Sequence, residues 1–158
     1  MAESGFRKWI ITITVITSAM IELIDTSIVN VALPDMSGNL GATIEDTAWV
    51  VTAYAIANGI IIPMTSFLAA RFGRRNYYAG SIALFTFASF MCGHASGIWE
   101  LVVFRFVQGI GGGALLSTSQ AILFETFSVE DRGFAAGIFG LGIVIGPTIG
   151  PTLGGWII

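Results

Sequence analysis

Five stretches of this chain are too long and too apolar to lie on a water-exposed surface: residues 9–33, 47–69, 76–94, 98–124 and 133–158. A helix needs about 20 such residues to cross about 30 Å of hydrocarbon. In hydrocarbon every backbone N–H and C=O must find its partner within the segment, which selects the helix. The predicted fold is therefore all-α: a polytopic membrane helical bundle with short polar loops and no soluble domain or linker. Composition removes the soluble alternative. Of 158 residues, 54% are hydrophobic and 11% charged, whereas a soluble domain carries about 25% charged residues. An enzyme reading finds no support. "GIGGGA" (109–114) lies inside a span and is not a phosphate-cradling loop. There is no nucleophile constellation, and the residue pattern calls for no metal, cofactor or nucleic acid.

Charge placement orients the bundle. Arg7 and Lys8 precede the first span, Arg71, Arg74 and Arg75 lie between the second and third, and Arg132 lies between the fourth and fifth. The other two loops hold no Lys or Arg, so the positive-inside rule places the N-terminus in the cytoplasm and Ile158 outside. Trp9, Trp49, Trp99 and Trp156 fall near the expected interfaces, as aromatic belts do. Arg7 and Lys8 before an apolar run resemble the start of a signal peptide. The run is too long for one, however, contains Glu22 and Asp25, and lacks a small-residue cleavage site. It reads as a retained span. The single cysteine, Cys92, excludes an internal disulfide and reads as a small core residue; His94, at an interface, reads as solvated.

Glu22, Asp25 and Arg105 lie well inside spans, where an ionisable side chain is costly and marks a pathway or a pair. Ser18, Glu22, Asp25 and Thr26 fall at i, i+4, i+7 and i+8, forming one polar stripe on the first helix. Arg105, Gln108, Gly109 and Gly112 form one face of the fourth at i, i+3, i+4 and i+7. Counted from the outer ends, Asp25 lies roughly 13 Å in from Pro34 and Arg105 roughly 9 Å in from Trp99. An ion pair in the outer half of the membrane, direct or bridged by substrate or water, is the expectation. Desolvation favours a neutral carboxyl and a nearby guanidinium favours the carboxylate, the opposition a proton-switched site requires. The alternative is a fixed Asp–Arg clamp with no transport role. Glu22 lies deeper with no evident partner, as a proton carrier or a cavity residue.

Four segments resemble the major facilitator superfamily, and within it the drug:proton antiporters with fourteen spanning helices, the EmrB-type multidrug efflux permeases. "LIDTSIVNVALP" (23–34) resembles the first-helix motif of that subgroup, with Asp25, Asn30 and Pro34 at matching positions. "SFLAARFGRRNYY" (66–78) is similar to the superfamily's signature between helices two and three, through Arg71, Gly73, Arg74 and Arg75. Ser66 and Ala70 replace its usual glycine and acidic residue, which removes a carboxylate from the inner gate. "RFVQGIGGG" (105–113) resembles the fourth-helix motif, whose arginine is tied to proton transfer. "GIVIGPTIGPTLGG" (142–155) resembles the fifth-helix motif of antiporters, with Gly142, Gly146, Pro147, Gly150, Pro151, Gly154 and Gly155.

The resemblance implies proton-coupled efflux of hydrophobic and cationic drugs across the bacterial inner membrane by alternating access. It assigns Asp25, Arg105 and Glu22 to proton coupling, and Glu22, Thr26, Asn30 and Gln108 to the substrate cavity. It makes 71–75 a gating loop and the fifth-helix glycine strip a hinge or seal against a helix of the second half; ordinary packing within the five helices is the other reading of that strip. A periplasmic adaptor and an outer-membrane channel are implied partners, beside protons, drugs, lipid and further transporter helices. Five helices do not complete one six-helix half, so the chain is expected to be an N-terminal fragment. A nutrient or metabolite proton symporter, against which the fifth-helix motif argues, and a non-transporting membrane fragment are the other readings.

Overall fold

The computed structural model describes residues 5–157. Five helices follow in order: α1 (Phe6–Asn39), α2 (Ile44–Phe72), α3 (Arg74–Cys92), α4 (Ile98–Thr126) and α5 (Arg132–Ile157). α1, α2 and α4 overrun their apolar stretches because hydrophobicity limits a span while backbone capping limits a helix. α1 passes through Pro34 and stops where Leu40 N–H bonds the Met36 carbonyl and Gly41 adopts φ +59°. At the start of α2, the Thr43 hydroxyl oxygen accepts the Asp46 N–H at 3.1 Å. Glu45 and Asp46 then occupy the first turn, where the helix dipole favours negative charge. Gly73 alone joins α2 to α3, at φ +79°, a left-handed conformation that a side chain would strain.

α4 is the centre. It packs most extensively on α2 and α3 and also on α1, while α5 docks chiefly on α1. Of its most apolar segment 56% is buried, against 22% for α1 and 28% each for α2 and α5. Glycines allow this approach. A Cβ on Gly109 would sit 2.7 Å from the Tyr54 carbonyl oxygen, and one on Gly111 would sit 2.8 Å from the Phe85 nitrogen. In lipid such close packing replaces the hydrophobic drive between helices.

Four helices, α1, α2, α4 and α5, are long and apolar enough to cross a membrane. The expected fifth, α3, falls short by that measure. Its 19 residues open with Arg74, Arg75 and Asn76 and carry Tyr77, Tyr78 and Ser81. It nevertheless runs antiparallel to α4. Arg74 pairs with Glu125 at one end of α4, and Cys92 Sγ lies 3.6 Å from Gln108 Oε1 towards the other.

The α5 glycine strip faces α1. Gly142, Gly146 and Gly150 abut Ile16, Leu23 and Ser27, and Gly154 lies against Ile28. The strip expected against a second-half helix is thus covered within the five-helix unit, while Pro147, Pro151 and Gly155 are exposed. One contact explains how Pro151 is tolerated. Pro151 has no N–H to give the Pro147 carbonyl four residues earlier, and the Ser27 hydroxyl of α1 donates to that carbonyl at 3.1 Å.

Gly109→Ala and Gly150→Ala are expected to lower the stability of the detergent-solubilised protein by about 1–3 kcal/mol each through overpacking. Gly137→Ala, with open space around its new methyl, should cost nothing. Unfolding in a mild-detergent/SDS series checks the contrast, and equal losses at all three positions would contradict it.

Candidate functional site

The site is built where α1, α2 and α4 meet, between two apolar clusters. One contains Val15, Ala19, Phe85, Leu115 and Leu123. The other contains Val29, Val50, Ile98 and Leu101. On α1 Asp25 lies between Ala19 and Val29, and on α4 Arg105 lies between Leu101 and Leu115, so each helix delivers its charge to the same polar layer.

The expected pair is present. Arg105 Nη1 donates to Asp25 Oδ2 at 2.6 Å, with the arginine side chain 3% exposed and the aspartate 20%. Gln108, fully buried, completes the arrangement. Its Oε1 accepts from Arg105 Nη1, and its Nε2 donates to Asp25 Oδ1 at 3.1 Å. The three side chains form a closed ring in which the amide bridges cation and anion. Arg105 Nε is buried and has no hydrogen-bond partner among the described residues. A cavity of about 570 Å³ between α1, α3 and α4 reaches this ring, with Asp25 and Arg105 in its wall and Asp35, Ser89 and Cys92 among its other lining residues.

Glu22 has the partner that its sequence context did not reveal. Tyr54 of α2 donates its hydroxyl to Glu22 Oε1 at 2.7 Å, and Glu22 is 5% exposed. Glu22 Oε2 and the nearby Asn58 Oδ1 are buried without a partner among the described residues. Tyr54 and Asn58 were legible as polar residues at i, i+4 inside the apolar run of α2; what they face was not.

The residues expected to share a substrate cavity do not line one together. Gln108 is locked in the ion-pair ring, and Glu22 is covered by Tyr54. The Thr26 hydroxyl donates to the Glu22 carbonyl at 3.1 Å. Asn30 is exposed. In the expected gating loop Arg71 and Arg75 are exposed, and Arg74 pairs with Glu125 at the end of α4. A carboxylate from α4 thus stands beside this loop, where Ala70 supplies none. At the same end, Lys8 Nζ lies 3.7 Å from Asp131 Oδ2 and 3.9 Å from the Phe127 ring centroid. Arg132 Nε donates to the Phe124 carbonyl at 3.1 Å. The N-terminal and loop cations therefore gather at one end of the bundle. His94 is exposed, as read from the sequence, whereas Cys92, read as a core residue, is only partly buried and lines the cavity.

A helical bundle with apolar outer faces, such as those of Ile13, Phe67, Phe87, Val103 and Val144, and an ion pair in its interior is a multi-pass membrane protein. The chain belongs to the Major Facilitator Superfamily, whose sequence profile matches residues 15–158. It is 38% identical over 147 residues to the fatty acid resistance protein FarB of Neisseria gonorrhoeae, covering 93% of this chain and 29% of that protein. It is 37% identical over 148 residues to the multidrug export protein EmrB of Haemophilus influenzae, covering 94% of this chain and 29% of that protein. To EmrB of Escherichia coli K12 it is 36% identical over 153 residues, covering 97% of this chain and 30% of that protein. The EmrB-type resemblance holds over nearly the whole chain, and the chain spans less than a third of the length of these relatives.

Removing one member of a buried ion pair leaves an uncompensated charge. Arg105→Ala is expected to destabilise the protein by about 3 kcal/mol. Adding Asp25→Asn should recover part of that loss. Unfolding free energies of the two singles and the double check this, and strictly additive losses would show that the two side chains do not interact.

Proposed function

We propose that this chain forms the N-terminal part of a proton-coupled exporter of hydrophobic, often cationic compounds, working by alternating access in a bacterial inner membrane. The single observation that carries the reading is the Asp25–Arg105 ion pair, bridged by Gln108 and bordered by a cavity, in a chain of the Major Facilitator Superfamily. The multidrug export names of two relatives indicate the kind of substrate.

A proton entering from outside reaches Asp25 and neutralises it. The carboxyl then loosens its hold on Arg105, or on a bound cationic compound, and release outward follows. When the proton leaves inward, the pair re-forms. Glu22 is the second carboxyl available to a proton or a cation. The basic end of the bundle, with Arg7, Lys8, Arg71, Arg74, Arg75 and Arg132, lies in the cytoplasm, and all five helices cross. α3 is carried across by its packing along α4. The loop 71–75 gates the inner side, with Arg74–Glu125 as its ion pair. Asn30 and Thr26 line the substrate path once the remaining helices of the exporter close around α1. The α5 strip holds α1, so motion of α1 carries α5 with it. A periplasmic adaptor and an outer-membrane channel complete the route across the envelope.

The double variant Asp25→Asn/Arg105→Ala, which removes both charges of the pair, is expected in the native, full-length protein to abolish proton-driven transport of ethidium in inverted membrane vesicles while the protein persists in the membrane at normal abundance. Undiminished transport would refute the assignment. Loss of the protein itself from the membrane would favour a structural clamp.

A further inference from the structure

The Asp25–Arg105 pair and Glu22 lie on one side of α1, and a residue of α2 touches both. Tyr54, 4% exposed, gives its hydroxyl to Glu22 Oε1 at 2.7 Å, while the Arg105 guanidinium carbon stands 5.1 Å from the centroid of its ring. That separation is within the range in which a cation is attracted to an aromatic face. The third wall of this arrangement is Gly112 of α4. A Cβ there would collide with the Tyr54 hydroxyl and sit 3.4 Å from Glu22 Cγ. α4 thus brings a cation to the tyrosine ring at Arg105 and clears room for the tyrosine hydroxyl at Gly112, two turns further along one face.

We propose that Tyr54 is a positioning residue that links the two intramembrane sites: it seats Arg105 on its ring and holds Glu22 with its hydroxyl, so that a change at Asp25 is passed to Glu22. This inference rests on the proton-coupled reading of Asp25. A cation over a phenol ring draws electron density from it and makes the O–H a stronger donor, so the seated guanidinium strengthens the hold on Glu22. When Asp25 takes up a proton, Arg105 loses its anion and is free to leave the ring. The hydroxyl then holds Glu22 less firmly, and the carboxylate becomes available to a proton or to a cationic compound. Neutralising the first site opens the second.

Asp35 of α1 lines the same cavity as Asp25 and Arg105 and is left unchanged in every variant of the test. α1 contributes Glu22 and Asp25, and α4 contributes Arg105. From α3, Cys92 faces Gln108, and the Tyr78 hydroxyl is engaged with Ser119 at 2.8 Å. α5, which packs on α1, has no ionisable side chain beyond Arg132 in its first turn.

The test follows the protonation of Glu22 directly, by infrared difference titration of the carboxyl C=O band in the purified, full-length protein, with Glu22→Gln identifying the band by its loss. Asp25→Asn is expected to displace the Glu22 midpoint by about half a pH unit or more. In a Tyr54→Phe background, which keeps the ring and removes the hydroxyl, Asp25→Asn should displace the midpoint less than half as far, leaving only the direct effect of a carboxyl one turn away on the same helix. Gly112→Ala, whose methyl displaces the hydroxyl, should behave as Tyr54→Phe does. An equal displacement with and without the hydroxyl would mean that the two carboxyls sense each other through space, and would overturn the proposal. So would no displacement in either background. The readout is proton occupancy, so it decides the linkage whether or not the protein exports anything. Ethidium transport that is indifferent to Asp25→Asn would remove the exporter reading separately.

Discussion

A guanidinium in the apolar interior of a helical bundle needs an anion and acceptors close by, because water is not there to solvate it. Arg105 meets that need with Asp25 and Gln108, and much of the architecture follows. The aspartate has to come from a different helix, so α1 and α4 are drawn together at that level. The amide oxygen and nitrogen of Gln108 each take one partner of the pair, which leaves Arg105 Nε as the ring's buried donor without a partner among the described residues. Apolar clusters lie above and below it, and the tyrosine ring of α2 stands 5.1 Å from the guanidinium carbon. A cavity of about 570 Å³ reaches the ring, with Asp25 and Arg105 in its wall.

Close approach of helices is the second constraint, met in two ways. On α4 the glycines bring α2 and α3 to backbone contact, which makes α4 the most buried helix. On α5 they bring α1 to the strip from Gly142 to Gly154, where a serine of α1 also serves the carbonyl that Pro151 leaves open. Glycine and proline, poor helix formers in water, are accommodated here by a neighbour that supplies both packing and a hydrogen bond. The strip is therefore a structural contact inside this unit.

Much of this was legible in the residues. Apolar runs of about 20 residues dictate helices, and the basic loops dictate which ends lie together. Lys8 beside Asp131 and Arg74 beside Glu125 fit that pattern. The pairing of Asp25 with Arg105 was legible as well, because an isolated intramembrane cation and anion at matching depth have few other partners. Less legible were the helix ends, since capping at Leu40 and Thr43 lies outside the apolar runs. The third stretch, 76–94, is a helix as expected, but its polar start keeps α3 below the apolarity of the other four. What Tyr54 meets was not legible, because spacing along one helix reports which residues share a face, but not which face of another helix they meet. For the same reason the residues assigned together to a substrate cavity separated, with Gln108 in the ion-pair ring and Asn30 exposed.

The sequence by itself determined the class of fold, its membrane setting, its family and the presence of charges that had to be answered within the membrane. These follow from hydropathy, length and charge, which act on each segment independently. The tertiary structure alone decided that Gln108 bridges the ion pair, that Tyr54 stands between Arg105 and Glu22, and that the α5 glycines serve α1. Those contacts depend on the rotation of one helix about its axis relative to another. That rotation is set by the jigsaw of small and large side chains across several helices at once, which no single segment carries.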